Sequence, residues 1–97
     1  MSGEAQEGEE SISLTLTRDE AVVLLELLAR TLDDENGSRL REAVRHDGEI
    51  WALTRLWGYL ERVLPEPFRA DYEAVIAAAR QRLVEKSGPW PWHEAKA

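Results

Sequence analysis

The sequence predicts an all-α fold, a three-helix bundle with a short extended N-terminal segment and flexible termini. Apolar residues recur every three or four positions over three stretches, the spacing that lines one side of a helix. Each stretch is bracketed by capping and breaking residues. At 97 residues the chain has the size of one domain and room for one core.

Residues 1–11 read as a disordered acidic tail, because Gly, Glu, Gln and Ser leave little to bury. The bundle domain follows over 12–87, and 88–97 form an extended Trp/Pro tail. Ile12, Leu14 and Leu16 alternate with Ser13, Thr15 and Thr17. That period of two marks an extended segment with one apolar side. It is too short to make a sheet alone and is expected to lie along the helices.

Thr17-Arg18-Asp19-Glu20 has the capping-box form, a hydroxyl followed three positions later by a carboxylate. It opens a first helix predicted from Arg18 to Asp33. Asp19 and Glu20 suit the positive end of its dipole, and Glu26 and Arg30 are spaced i,i+4 on its polar side. Gly37 serves as the turn that ends it. Ser38 can cap a shorter helical piece from Arg39 to His46, after which Asp47-Gly48 breaks or bends the chain. A stronger helix spans Glu49 to Leu64 and stops at Pro65 and Pro67. A last helix runs from Arg69 to Lys86, ended by Ser87-Gly88-Pro89.

At about 100° per position the three helices differ in how much surface they must hide. Phe68, Tyr72, Val75, Ile76, Ala79 and Leu83 make one narrow stripe on the last helix. Ile50, Leu53, Trp57, Leu60 and Leu64 make a stripe on the middle helix, with Ala52, Leu56, Tyr59 and Val63 as a second stripe beside it. On the first helix, Ala21, Val22, Leu24, Leu25, Leu27, Leu28, Ala29 and Leu32 wrap more than half the circumference. That helix must be covered on two sides, so it belongs in the centre of the bundle. Either the chain covers it alone, or the excess, with Val23 and Leu27 as candidates, forms a homodimer interface.

One surface stands apart. Trp51 falls outside the apolar arc of the middle helix and shares its outer side with Arg55, Gly58 and Arg62. Trp and Arg are the residues most enriched at binding hot spots, and a mid-helix glycine permits close backbone approach at a cost of about 1 kcal/mol. The strip reads as a partner-binding surface. The alternative is that Trp51 packs on the Arg39–His46 piece and Gly58 is merely tolerated. Trp90-Pro91-Trp92 divides the same way: a stiff aromatic tail that docks on a partner, or one that folds back on its own domain.

Charge and composition exclude several classes. The net charge is -7, but Glu4, Glu7, Glu9 and Glu10 carry four of the 19 acids, so from Ile12 onward 15 acids face 12 bases. No basic patch of phosphate-neutralising size is present, so no nucleic-acid partner is expected. An acidic DNA mimic is less economical than a solvated tail. No apolar run approaches the ~20 residues that span a bilayer, and the N-terminus lacks the pattern of a secretory signal. No membrane partner is expected, and the cytoplasm is the expected location. The chain has no cysteine, which excludes disulfides and thiolate metal sites.

Candidate chemistry fails at named residues. His46 adjoins Asp47 and lies near Glu49, but sequence neighbours on a helix do not face one another, and no nucleophile is paired with it. His93 falls in the tail. Asp34, Asn36 and Gly37 match part of a calcium loop, yet the first ligand position falls on Leu32 and the closing glutamate position on Ala43. No metal and no cofactor are expected.

The stretches LTLTRDEAVVLLELLAR, EIWALTRLWGYLERVLPEPF and DYEAVIAAARQRL, covering about Leu14 to Leu83, resemble a set of small helical bacterial proteins of uncharacterised function. The resemblance implies a compact helical fold and no activity. The Trp-Pro-Trp tail is not a feature of that set. The sequence points to a non-enzymatic module that binds an unidentified protein. One concrete form is an inhibitor of immunity or antitoxin type, whose acidity would suit a basic target. The alternative is a dimeric regulatory or structural subunit that associates through the first helix.

Overall fold

The structure is a computed structural model that describes residues 10–91. The two expected tails therefore lie largely outside the described residues, Trp92 and His93 included. The described chain is an all-α three-helix bundle. Helix α1 spans Arg18–Leu28 and continues as a π-helical segment, Ala29–Asp34. A 3₁₀ turn follows at Leu40–Glu42, then α2 at Asp47–Val63, a second 3₁₀ turn at Glu66–Phe68, and α3 at Tyr72–Ser87. Residues 10–17 contain no helix, turn or bend.

The first helix starts where its capping residues place it. Thr17 Oγ1 accepts from the Glu20 N–H at 3.1 Å, and Glu20 Oε1 accepts from the Thr17 N–H at 2.8 Å. Two donors of the open helix end are thereby satisfied. The far end widens by one residue per turn: the Glu35 N–H reaches the Arg30 carbonyl at 3.1 Å, an i+5 bond. Thr31 Oγ1 donates to the Leu27 carbonyl at 2.8 Å in the same stretch. Asn36 and Gly37 then turn left-handed, with φ of 54° and 69°. The Gly37 N–H closes the end on the Thr31 carbonyl at 2.8 Å.

The expected helix from Arg39 to His46 is reduced to one 3₁₀ turn. A segment this short cannot offset the cost of helix nucleation without a packed apolar face, and only Leu40 and Val44 in it are half-buried. The chain is broken, not bent, before Asp47. His46 is extended at φ -155° and ψ 145°, and its Nδ1 accepts from the Gly48 N–H at 2.9 Å. Glu49 Oε1 accepts from the Arg45 N–H at 2.9 Å. His46 is thus an N-cap for α2, which accounts for its place beside two carboxylates.

Phe68 departs from expectation. It was placed on the core stripe of the last helix, but it is 89% exposed. Pro65 and Pro67 hold Glu66–Phe68 in a 3₁₀ turn, Arg69 is extended, and α3 begins only at Tyr72. Phe68 therefore lies off the face that Tyr72, Val75, Ile76 and Ala79 share.

The core is centred on α1. Ala21, Val22, Leu25 and Leu28 are buried, with Leu60 and Leu64 on one flank and Ile76 and Ala79 on the other. Helix α1 packs against both neighbours, while α2 and α3 barely meet. The α1–α3 seam carries the polar ties. Arg82 grips Asp19 with two bonds of 2.8 Å. The Tyr72 hydroxyl donates to Glu26 Oε1 at 3.3 Å. Burial foremost, and then the Glu26 charge, push this phenol up to about 12, so it stays a donor. Glu66 is buried between α2 and α3, and Arg18 bonds its Oε2.

Two outcomes are expected. Leu25 is 2% exposed, so Leu25→Ala should lower unfolding stability by about 2–5 kcal/mol in urea titrations. The hydrogen bond from Arg82 holds the Asp19 carboxyl below its ordinary value of 3.8. A depressed carboxylate stabilises the fold above that value and loses its contribution as the pH falls. Arg82→Gln should therefore be less stable than wild type at pH 7 and indistinguishable from it at about pH 2.

Candidate partner-binding face

Helix α2 presents three longitudinal strips. The strip of Leu53, Trp57, Leu60 and Leu64 turns inward, and Leu60 and Leu64 are each 5% exposed. The strip of Ala52, Leu56, Tyr59 and Val63 was expected to share in the core. Instead Tyr59 is 56% and Val63 68% exposed. The physical reason is that α3 packs on α1 and barely meets α2, so α3 does not cover this side of α2. Together with Ile12, Leu14 and Leu16, the strip lines an open groove of about 630 Å³. Ile12 and Leu14 remain 86% and 82% exposed. Exposed apolar surface thus lies on α2 and the N-terminal segment, while Leu27 of α1 is 43% exposed.

The third strip is the one that carries Trp51, Arg55, Gly58 and Arg62. Helical spacing places them on one side of α2, and the structure leaves it open. Trp51 is 64% exposed, Arg55 and Arg62 are exposed, and Gly58 is half-buried. Trp51 also borders the 3₁₀ segment, forming the rim of a recess of about 410 Å³ shared with Arg41, Arg45 and His46. The contact with that segment was the bland account of Trp51, and it covers only part of the indole.

Arg18, Arg69 and Arg82, at the α1–α3 cleft, are each bonded to a carboxylate: Glu66, Asp71 and Asp19. Arg30 and Arg39 pair with Glu26 and Glu35 on their own segments. Arg41, Arg45, Arg55, Arg62 and Arg80 have no ion pair among the described residues. All of these but Arg80 lie on the strip or around the recess at its N-terminal end. Four arginines and an exposed indole, with Asp47 beside them at the recess, therefore share one side of a chain of net charge -7. Four guanidiniums unneutralised within the fold are free to form charge-assisted bonds with an incoming group.

The remaining candidates do not join this face. Val23 is half-buried and packs on the core, and Leu27 is 43% exposed. Trp90 is 59% exposed; Trp92 lies outside the described residues. Among the described residues no group of three His, Cys, Asp or Glu side chains could hold a metal ion. No helix there is long and apolar enough to cross a membrane. The groove is the feature that residue patterns pointed to without locating. Its signals are a second apolar stripe on α2 and an alternating segment expected to lie along the helices.

No family model matches the chain, and neither the curated proteins nor the solved structures contain a match.

Gly58 offers a way to separate fold from contact. A Cβ built there meets nothing within 4 Å, so Gly58→Ala should stabilise the isolated protein by about 1 kcal/mol through helix propensity alone. Trp51→Ala should change stability by less than about 1 kcal/mol, because most of the indole is already in water. Urea unfolding of both variants measures this directly.

Proposed function

We propose that this chain is a small non-enzymatic protein-binding module whose contact face is the Trp51–Arg62 strip of α2. The observation that carries the reading is the exposed Trp51 beside Arg55 and Arg62, which have no carboxylate partner among the described residues. An exposed indole is a large apolar area that water solvates poorly, and it is rigid enough to bind with little entropy cost. Arg55 and Arg62 stand about 10 Å apart along the helix axis. A partner complementary to this strip has an apolar recess for the indole and carboxylates spaced to meet the two guanidiniums.

The net charge of the chain suggested a basic target. The charge of the face supports an acidic partner surface instead, since contact is decided by groups within a Debye length of about 8 Å. An inhibitor of immunity or antitoxin type remains one concrete form of the module. Its target would then present an acidic rim around the covered site. The cytoplasm is the compartment we propose for this encounter, in keeping with a cysteine-free chain.

The test uses the full chain as bait in lysate of its own source cells, with recovered proteins quantified by mass spectrometry. Wild type should enrich a partner that Trp51→Ala recovers roughly 30-fold less well, the effect of losing one hot spot. Arg55→Glu/Arg62→Glu should abolish recovery. Gly58→Ala should weaken it although the fold is stabilised. Equal recovery by wild type and Trp51→Ala would remove this strip from the contact.

A further inference from the structure

We infer that a second copy of this chain fills the apolar groove between α2 and the N-terminal segment, through antiparallel pairing of the two Ile12–Leu16 segments about a two-fold axis at Leu14. This surface is distinct from the Trp51 strip, and the inference does not rest on that reading.

The groove has two unlike walls. One is the exposed stripe of α2, with Tyr59 and Val63 foremost, over a floor of Leu60 and Leu64. The other is the segment 11–16, whose backbone has no hydrogen-bond partner among the described residues. An apolar wall facing a row of free N–H and C=O groups suits one kind of occupant: an extended strand with apolar side chains on one side. The chain carries one such strand, Ile12–Leu16 itself. If each copy's segment enters the other's groove, one strand pair satisfies both copies, as two-fold symmetry requires.

The register follows from charge and from the helix cap. The seven residues Ser11–Thr17 carry no charge, so pairing the segment with itself sets no like charges opposite each other. With Leu14 opposite its symmetry mate, Ile12 meets Leu16 and Ser11 meets Thr17, the last residue before α1. Ile12, Leu14 and Leu16 of both copies then fall on one face, toward the two α2 stripes, and Ser13 and Thr15 fall on the other. The backbone parity agrees. The Thr17 N–H bonds to Glu20, and its carbonyl accepts from Ala21 at 3.0 Å. In an extended strand, the odd-numbered groups share that side, which leaves those of residues 12, 14 and 16 to cross to the partner.

Other occupants fit less well. Residues 1–9 have Met1 as their one large apolar side chain, and residues 92–97 have Trp92. Neither stretch offers an alternating apolar strand.

The experiment is light-scattering mass with chromatography, joined to cysteine cross-linking in a chain that has no native cysteine. Wild type at about 100 µM, well above the micromolar dissociation constants typical of weak interfaces, should show twice the 11.0 kDa chain mass. Ile12→Asp/Leu14→Asp should be monomeric with unchanged helical circular dichroism, because both residues are exposed in the single chain. Trp51→Ala should leave the dimer intact. Under mild oxidant Leu14→Cys should form a covalent dimer, as its Cα atoms would lie about 5.5 Å apart. Ile12→Cys should not, since the two copies of residue 12 would lie about 13 Å apart in this register. Phe68→Cys, exposed but outside the groove, is the control for random collision. A monomeric wild type would overturn the proposal, and would leave the groove to Trp92 or to a different protein. A dimer that survives Ile12→Asp/Leu14→Asp but is lost with Leu27→Asp would overturn it in favour of α1. Cross-linking of Ile12→Cys at the rate of Leu14→Cys would overturn the register.

Discussion

Val22, Leu25 and Leu28 lie on α1 between two helices that barely touch each other. A helix that is apolar over more than half its circumference cannot be desolvated by one neighbour, because two cylinders meet along a single line. Each fully buried aliphatic side chain is worth about 1.5–3 kcal/mol, so leaving either flank of α1 bare would remove much of the stability of a chain this small. The two neighbours therefore go to opposite flanks. The polar ties follow the same plan: Arg82 to Asp19 and Tyr72 to Glu26 join α3 to α1, while Arg18 joins the start of α1 to Glu66 at the turn between α2 and α3.

That arrangement has a cost on the outside. With α2 and α3 on opposite sides, neither can shield the other. Helix α3 has one apolar stripe and hides it. Helix α2 has two and hides one, so Tyr59 and Val63 are left in water beside Ile12 and Leu14. Contiguous apolar patches beyond a few hundred Å² are uncommon on monomers. The groove and the Trp51 strip are adjacent on α2 but chemically different. One is apolar, beside backbone unpaired among the described residues, and is suited to a strand. The other is an indole among guanidiniums, suited to an acidic, recessed surface.

The local devices were legible because each acts within a few residues. The Thr17 box and the turn at Gly37 lie where the sequence places them; the break expected at Asp47-Gly48 falls just before it, because both residues are in the first turn of α2 and His46 is its cap. The central position of α1 was also legible, since it follows from counting apolar faces. Phe68 and the Arg39–His46 piece were misread for one reason. Spacing assigns a face only to residues that are in the helix, and these two stretches are held in 3₁₀ turns. The strip of Trp51, Arg55, Gly58 and Arg62 was visible as a pattern; that its arginines lack partners was not.

The sequence by itself determined the helical class, the helix starts and stops, the helix that must be central, and the existence of more apolar surface than one small bundle hides. Those properties are sums over residues, or short-range bonds, and need no third dimension. Tertiary structure decided where the surplus falls. It put most of the exposed surplus on α2 and the N-terminal segment, because the docking sides of α2 and α3 are set by packing across the core. For the same reason it decided which arginines meet carboxylates: Arg82 reaches an acid 63 residues away, and Arg55, exposed on its own helix, reaches none among the described residues.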